Sequence, residues 1–372
     1  MRRYDIDSLR VLVFCLLIFY HVGMFFVPWG FHLKNNVTYE WLTLPMLFLN
    51  QWRLPLLFLI SGIGTRYALS KRSARQFLSE RFFRLFIPLV FGMLFIIPPQ
   101  IYVERLANGQ FSGNYLDYWT SQAFAGGAYP EGNVSWHHLW FLNYLFNFSL
   151  LLTPVFVYLR NHPDARIIRW FTAVAARPFG LFVVVVPLWL CEALFYPDYS
   201  DNGALIGDWY GVSRYFILFF VGFMLICTKD VFWTTVTDNR RKYLYCGIAA
   251  FCLWLTPEIF GVHIPYLADV LKAVNSWSWC LTMFGYAAAH LNRESKTLKY
   301  ANEAVYPFYI LHQTVMLILC YFIRNLDWQL FPKFSVLAIG TFGISWLIYE
   351  FGIRRYRLIR PLFGMKKVAQ QT

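Results

Sequence analysis

Arg10 and His21 form the pair that points most directly to chemistry. They flank ten nearly all apolar residues in the stretch RVLVFCLLIFYH. Eleven helical steps of about 100° place both side chains on one face, roughly 16 Å apart along the axis. If this helix crosses a bilayer, His21 is an ionisable group inside the membrane, which marks a functional site by default. Such an imidazole can act as a general base, and it can equally be a packing residue bonded to a neighbouring helix.

Two further sets of arginines fall at informative positions. Arg81 and Arg84 are i, i+3 neighbours in SERFFRLFIP, where paired guanidinium groups suit phosphates such as those of coenzyme A. The alternative is an ordinary basic rim that contacts lipid headgroups. Arg53 lies within the apolar stretch NQWRLPLLFLISG and could stabilise an oxyanion or an acidic acyl group. It could also be a purely structural charge, with Glu192 and Asp269 as possible counter-charges.

Two stretches could contribute to a substrate site. In WHHLWFL, His138 and Trp140 could contact an acceptor sugar, although Trp is enriched at every membrane interface. In VYPFYILHQ, Pro307 suits a first helical turn, and His312 then lies at a depth similar to that of His21. Two histidines at matching depth predict one polar cavity near the middle of the membrane.

Composition indicates the environment in which these residues act. The chain has 372 residues, of which 58% are hydrophobic and only 14% charged, whereas soluble domains carry about a quarter charged residues. The seven cysteines lie in or beside apolar segments and have no zinc-site spacing. We therefore expect an integral membrane protein without a bound metal. We assign the net charge of +13 to membrane orientation and not to nucleic acid.

Apolar segments long enough to cross a bilayer recur along the whole chain. When ten such segments are taken as spans, 26 of the 33 Lys and Arg residues fall on the side of the N-terminus and four fall on the opposite side. The pattern predicts an all-α integral membrane protein with ten transmembrane helices and both termini in the cytoplasm. We expect one domain over residues 1–365 and a short cytoplasmic tail at 366–372. The predicted spans are 9–28, 44–66, 84–104, 139–159, 179–197, 211–228, 243–260, 264–290, 303–323 and 333–353.

Together these motifs resemble the acyltransferase 3 family of integral membrane acyltransferases. The matching features are the Arg-x10-His pair at Arg10 and His21, the RxxR pair at Arg81 and Arg84, and the late LHQ that contains His312. An arginine-containing span that ends in Ser-Gly, and HLWFL at 138–142, are similar too. The resemblance covers essentially the whole chain. It is greatest to the compact subgroup that includes a periplasmic glucan succinyltransferase.

The resemblance implies a reaction, a donor and a location. A member of this family would bind acyl-CoA, here acetyl-CoA or succinyl-CoA, from the cytoplasm, with Arg81, Arg84 and Arg10 on its phosphates. His21 would act as general base on a hydroxyl of an extracytoplasmic carbohydrate, or as an acyl-histidine relay. The protein would be a multi-pass component of the bacterial inner membrane. An extended pantetheine arm of about 15–20 Å matches the roughly 16 Å rise from Arg10 to His21.

Two other functions fit the same residues. In a secondary transporter, His21, Arg53 and His312 would line a path for a substrate or a proton. Transporters often contain repeated halves, and the sequence shows no evident internal repeat. In a non-catalytic membrane assembly partner, the same polar groups would serve packing alone. Binding of acyl-CoA to the purified protein would separate the enzyme from both alternatives.

Overall fold

The described chain is built from helices. The computed structural model describes residues 3–196, 198, 203–260 and 266–366, with backbone only at 257–260. Within these residues the extended structure is one isolated bridge, between Ala128 and Val134. The helices are α1 Tyr4–Met24, α2 Thr43–Leu69, α3 Ala74–Ala107, α4 Tyr115–Ser121, α5 Trp140–Asn161, α6 Arg166–Ala175, α7 Val185–Phe195, α8 Trp209–Cys227, α9 Asp230–Asp238, α10 Arg240–Phe260, α11 Leu267–His290, α12 Lys296–Ile323 and α13 Leu330–Leu347.

The fold class predicted from composition is confirmed as an all-α membrane protein. Within the described residues, seven helices are long and apolar enough to cross a bilayer, namely α1, α2, α3, α5, α8, α12 and α13 with its extension to Ile353. The other three predicted spans correspond to α10, α11 and a shorter apolar helix at Gly180–Phe195. Ten spans with cytoplasmic termini therefore stay a prediction. The short connection at 261–265 and most of the tail at 366–372 lie outside the described residues.

The third span begins about ten residues earlier than its apolar stretch. The helix α3 starts at Ala74 instead of residue 84, so Arg81 and Arg84 lie within it. Two of its turns, Phe82–Phe86 and Gly92–Ile96, are π-helical, a local widening that often accompanies functional positions. Hydropathy missed the first turns because their side chains are mainly polar, and a helix does not end where its apolar face ends.

The described helices form two compact units, each assembled from three stretches of chain. Unit one contains residues 1–13, 48–80 and 144–299, and unit two contains residues 14–47, 81–143 and 300–372. Some boundaries fall within a helix, as in α1 between Val13 and Phe14. Because the stretches interleave, neither unit corresponds to a continuous segment of sequence.

The core of unit two packs the end of α1 with α12 and α13. On α12, Met316 and Cys320 lie at i+4 and i+8 from His312, so they continue one helix face. On α1, Val22 follows directly after His21, and Phe25 and Phe26 lie just beyond the end of the helix. This packing fixes the registers of the two helices and thus the positions of both histidines. The principal core residues are Val22, Phe25, Phe26, Leu33, Val103, Met316, Leu317, Cys320, Ile323, Leu330 and Leu337.

In unit one, two glycines allow α2 and α8 to approach closely. A Cβ atom on Gly62 would lie 2.1 Å from the carbonyl oxygen of Phe219. One on Gly222 would lie 2.3 Å from the carbonyl oxygen of Leu59. Small residues at a crossing let membrane helices gain backbone contact. The Ser-Gly at the end of the second span thus has a packing role at Gly62.

Candidate functional site

His21 and His312 are in direct contact in unit two. Nδ1 of His21 and Nε2 of His312 are 2.8 Å apart, and the two ring centroids are 5.0 Å apart. His312 is fully buried, whereas His21 keeps part of its surface accessible. The two histidines whose matching depths predicted one polar cavity therefore lie side by side. His21 is the member of the pair that a substrate can reach.

The main chain of α12 determines where the protons of this pair reside. Nδ1 of His312 lies 2.7 Å from the carbonyl oxygen of Tyr309, which can only accept a hydrogen bond. His312 therefore carries its proton on Nδ1 when neutral and offers a lone pair at Nε2. That lone pair must accept from Nδ1–H of His21. With both rings neutral, the basic lone pair of His21 is then on Nε2.

His138 supports the pair from the start of α5. It is buried, and its ring centroid is 5.1 Å from that of His312. Its Nε2 lies 3.1 Å from the carbonyl oxygen of Ile310, so that nitrogen carries the proton. Nδ1 of His138 lies 3.5 Å from Nε2 of Gln100. The main-chain carbonyl of His138 accepts a hydrogen bond from the hydroxyl of Tyr309. Both ring nitrogens therefore face protein atoms.

Gln100 links these histidines to a second polar group. Its Nε2 donates to Oγ1 of Thr314 over 2.7 Å, and that hydroxyl in turn donates to the carbonyl of Ile96. Its Oε1 accepts from Nε2 of Gln313 and from Nδ1 of His137, each over 3.1 Å. The amide orientation is therefore set by its partners. Gln100 thereby connects the buried end of α5 with the polar face of α12.

The second polar group comprises His32, Glu104, Tyr129 and His137. Nδ1 of His32 is 2.8 Å from Oε2 of Glu104, and the hydroxyl of Tyr129 donates to Oε1 over 3.0 Å. The rings of His32 and His137 stack 4.4 Å apart at 22°. Burial, reinforced by the charge of Glu104, raises the pKa of Tyr129, so its hydroxyl remains a donor at neutral pH. The motifs in the sequence did not indicate this group.

One arginine organises the loop that carries Tyr129. Nε of Arg105 donates to Oδ1 of Asn133 over 3.1 Å, and its Nη2 donates to the carbonyls of Pro130 and Gly132. The guanidinium also lies 5.8 Å from the ring centroid of Tyr129. The loop between α4 and α5 is thus fixed against α3.

The paired arginines of α3 lie at its π-helical turn. Arg84 belongs to the turn Phe82–Phe86, and Arg81 ends the α-helical segment before it. Nε of Arg84 lies 3.3 Å from the carbonyl oxygen of Gly364, and its own carbonyl accepts from the hydroxyl of Tyr306. Arg84 therefore also anchors the chain that follows α13.

The remaining predicted site residues are distributed over both units. Arg10 donates to Oδ1 of Asp7 over 3.0 Å in unit one, which also contains the buried Arg53 on α2. Trp140 begins α5 in unit two and is partly exposed. The structure thus gathers His21, His138 and His312 in one unit and places Arg10 and Arg53 in the other.

Unit one contains a buried charge cluster of its own. Oε2 of Glu192 is 2.6 Å from Nζ of Lys272, and its Oε1 is 3.6 Å from Nη1 of Arg214. The hydroxyl of Tyr210 donates to Glu192 and accepts from Arg214 over 2.7 Å. The sequence suggested Glu192 as a counter-charge of Arg53, and the structure shows it bonded to Lys272, Arg214 and Tyr210. The cluster neutralises charges that would otherwise be costly in the membrane.

A cavity of about 750 Å³ lined by charged and aromatic residues also lies in unit one. The guanidinium carbon of Arg3 lies 3.7 Å from the centroid of the Trp233 ring. Nε and Nη2 of Arg3 also pair with Asp5. Lys229, with a φ of 57°, adds a second positive charge in a backbone conformation that L residues rarely adopt. The cavity residues are Arg3, Tyr4, Tyr67, Ile226, Lys229, Asp230, Trp233 and Asn292.

Comparison with known proteins gives curated relatives of similar length. Glucans biosynthesis protein C of Escherichia coli K12 is 22% identical over 384 residues, which cover 100% of this chain and 96% of the relative. The proteins of the same name from Escherichia coli O1:K1 and from O157:H7 strain EC4115 match with the same identity and coverage.

A family model shows where the chain belongs. The model described as "Acyltransferase domain" matches residues 3–350, a range that contains all of the candidate site residues named above. The order of the arginine and histidine motifs led to the same family. The chain therefore belongs to the acyltransferase 3 family, and it is a multi-pass membrane acyltransferase.

Proposed function

We propose that this protein is a transmembrane O-acyltransferase of the bacterial inner membrane. It would transfer an acyl group, acetyl or succinyl, from cytoplasmic acyl-CoA to a hydroxyl of an extracytoplasmic glycan. The observation that carries the proposal is the contact between His21 and His312. This contact orients an accessible imidazole with its basic nitrogen at Nε2.

The proposed step uses this geometry directly. Nε2 of His21 takes the proton of the acceptor hydroxyl while the hydroxyl oxygen bonds to the thioester carbon. The carbon–sulfur bond then breaks, and Nε2–H returns the proton to the thiolate leaving group. While His21 is charged, its Nδ1–H remains bonded to the lone pair of His312, which stabilises the imidazolium. Attack by Nε2 itself to form an acyl-histidine is the alternative path through the same nitrogen.

The donor side of the proposal rests on basic groups. Arg10, Arg81 and Arg84 are the proposed ligands of the coenzyme A phosphates, and Arg53 the proposed partner of an oxyanion or an acidic acyl group. The cavity in unit one supports a nucleotide donor, because it combines Lys229 with a guanidinium backed by an indole. Arginine planes stack on nucleobases, and cations bind phosphates.

The acceptor side of the proposal rests on the relatives and on the aromatic residues around His21. The curated relatives are named for glucan biosynthesis, so we propose a glucan or a similar carbohydrate as acceptor. The ring of Phe31 stacks on that of His21 with centroids 6.4 Å apart. An aromatic face beside the basic nitrogen suits a sugar. His138, whose ring nitrogens both face protein atoms, would position the pair, while Trp140 remains a proposed sugar contact.

The test is the transfer of acyl groups from isotopically labelled acetyl-CoA and succinyl-CoA to gluco-oligosaccharides by protein in liposomes. We expect His21→Ala to reduce transfer by about 10²–10⁴-fold, the usual contribution of a general base. His162→Ala is the matched control, because His162 is exposed just after α5 and its side chain bonds to the carbonyl oxygen of Tyr158 four residues earlier. Unchanged transfer in a folded His21→Ala protein would refute the role of His21.

The same liposomes test the transporter reading. The enzyme proposal requires acyl-CoA binding and product formation, whereas a transporter would dissipate a solute gradient without either. A wild-type protein that binds no acyl-CoA and dissipates such a gradient would favour transport.

A further inference from the structure

His32 and His137 form a stacked pair that the proposed reaction at His21 does not use; we call it the imidazole pair. His32 lies in the loop after α1, and His137 lies just before α5, so the pair joins two separate stretches of unit two. Both residues keep part of their surface accessible, unlike the buried His138 and His312. A ligand at the surface of unit two can therefore contact the exposed edges of these rings, and it reaches the shielded Nε2 of His137 only if a neighbouring side chain moves.

Each ring of the imidazole pair receives a defined tautomer from its partner. The carboxylate of Glu104 accepts from Nδ1 of His32, and Oε1 of Gln100 accepts from Nδ1 of His137. The orientation of Gln100 is secure because its Nε2 must donate to Thr314. Both neutral rings therefore carry the proton on Nδ1 and a lone pair on Nε2. The pair offers two hydrogen-bond acceptors.

One of these acceptors is unsatisfied within the protein. Nε2 of His137 is inaccessible to bulk solvent and has no hydrogen-bond partner among the described residues. A buried polar atom without a partner is costly, and such atoms in folded proteins call for an explanation. A hydroxyl group is a donor that would satisfy this atom, whether a ligand or a buried water molecule supplies it.

The surroundings narrow the class of that molecule. The ring of Phe31 neighbours those of both His21 and His32, with centroid distances of 6.4 Å and 5.1 Å. Glu104 and the hydroxyl of Tyr129 are further polar groups beside the imidazole pair. Hydrogen-bond acceptors beside an aromatic face suit a molecule with several hydroxyls and an apolar C–H face, as a sugar has. The carboxylate disfavours an anionic ligand.

We infer that the imidazole pair binds hydroxyl groups of the carbohydrate acceptor, at a subsite separate from the base at His21. The inference rests on the proposed function for the identity of the ligand. Phe31 would stack on a sugar ring, and Nε2 of His32 and of His137 would accept from its hydroxyls. The hydrogen bond from His32 to Glu104, which Tyr129 also contacts, orients the ring so that Nε2 of His32 carries the lone pair.

The kinetic test compares His137→Phe with the wild type, using cellotetraose as the acceptor probe and acetyl-CoA as donor. We expect the KM for the oligosaccharide to rise by about tenfold or more, the equivalent of one lost hydrogen bond near 1.4 kcal/mol. The change in kcat should be much smaller. His162→Phe, an exposed position in unit one, is the matched control and should leave both constants unchanged. A fall in kcat without a change in KM would overturn the inference.

Calorimetric binding of cellotetraose without donor separates this inference from the proposed function. If the wild type binds the probe and folded His137→Phe binds it at least about tenfold more weakly, the subsite is supported even when no acyl transfer occurs. Equal binding by both proteins, or no binding by the wild type, overturns it. Should His137→Phe fail to fold, Tyr129→Phe provides the second variant. It removes only the hydroxyl that holds Glu104, and unaltered oligosaccharide binding would then count against the subsite.

Discussion

At the scale of single residues, the site is a set of imidazoles whose tautomers are fixed by neighbours. His312 is held by a main-chain carbonyl, His137 by an amide and His32 by a carboxylate. In each case the partner accepts at Nδ1 and leaves Nε2 as the lone-pair nitrogen. His21 obtains the same tautomer from His312. Basicity at Nε2 is therefore a property that the surrounding structure imposes.

This arrangement predicts that His312 positions His21 without touching the substrate. His312→Ala should lower kcat by about ten- to a hundredfold, because a hydrogen bond that supports a charged group contributes ~1.5–3 kcal/mol. KM for acyl-CoA and for the acceptor should change little. His312→Gln should recover part of the activity, since its amide oxygen can accept from Nδ1–H of His21. Equal loss in the two variants, in purified protein of unchanged thermal stability, would contradict the positioning role.

At the scale of elements, helix packing places the site and also limits what sequence reveals. The 3.6-residue period and the similar depths of His21 and His312 could be predicted from the sequence. Their contact could not, because depth alone does not specify which helices are neighbours. His32 and Glu104 were not readable, since one lies in a loop and the other near the end of α3. Only the folded loops bring them within hydrogen-bonding distance. The pairing of Glu192 with Arg214 and Lys272 could not be predicted either, because α7, α8 and α11 are separated in sequence.

The close approach of α2 and α8 gives a stability prediction. Gly62→Ala would put a Cβ atom 2.1 Å from the carbonyl oxygen of Phe219, so the helices must separate. We expect a loss of about 1–3 kcal/mol, the usual cost of overpacking. Gly64→Ala is the matched control on the same helix, because nothing lies within 4 Å of its added Cβ. Thermal unfolding in detergent should show a lower midpoint for Gly62→Ala alone. Equal midpoints would contradict the packing role.

At the scale of the whole molecule, the two units divide the candidate groups. Unit two holds His21, His138 and His312, and unit one holds the cavity lined by Arg3, Lys229 and Trp233. The sequence predicted the membrane class and the family across the chain. It did not indicate this cavity, since its residues come from the N-terminus and the ends of four helices.

If the cavity of unit one binds the nucleotide of acyl-CoA, Arg3→Ala should discriminate between donors. KM for acetyl-CoA should rise by about tenfold, the equivalent of ~1.4 kcal/mol, because the nucleotide loses the guanidinium that contacts its base or a phosphate. KM for S-acetylpantetheine should not change, since this donor lacks the nucleotide and cannot use the cavity. Arg169→Ala, an exposed arginine of the same unit, controls for loss of charge alone. An equal rise in KM for both donors would place the effect of Arg3 outside nucleotide recognition.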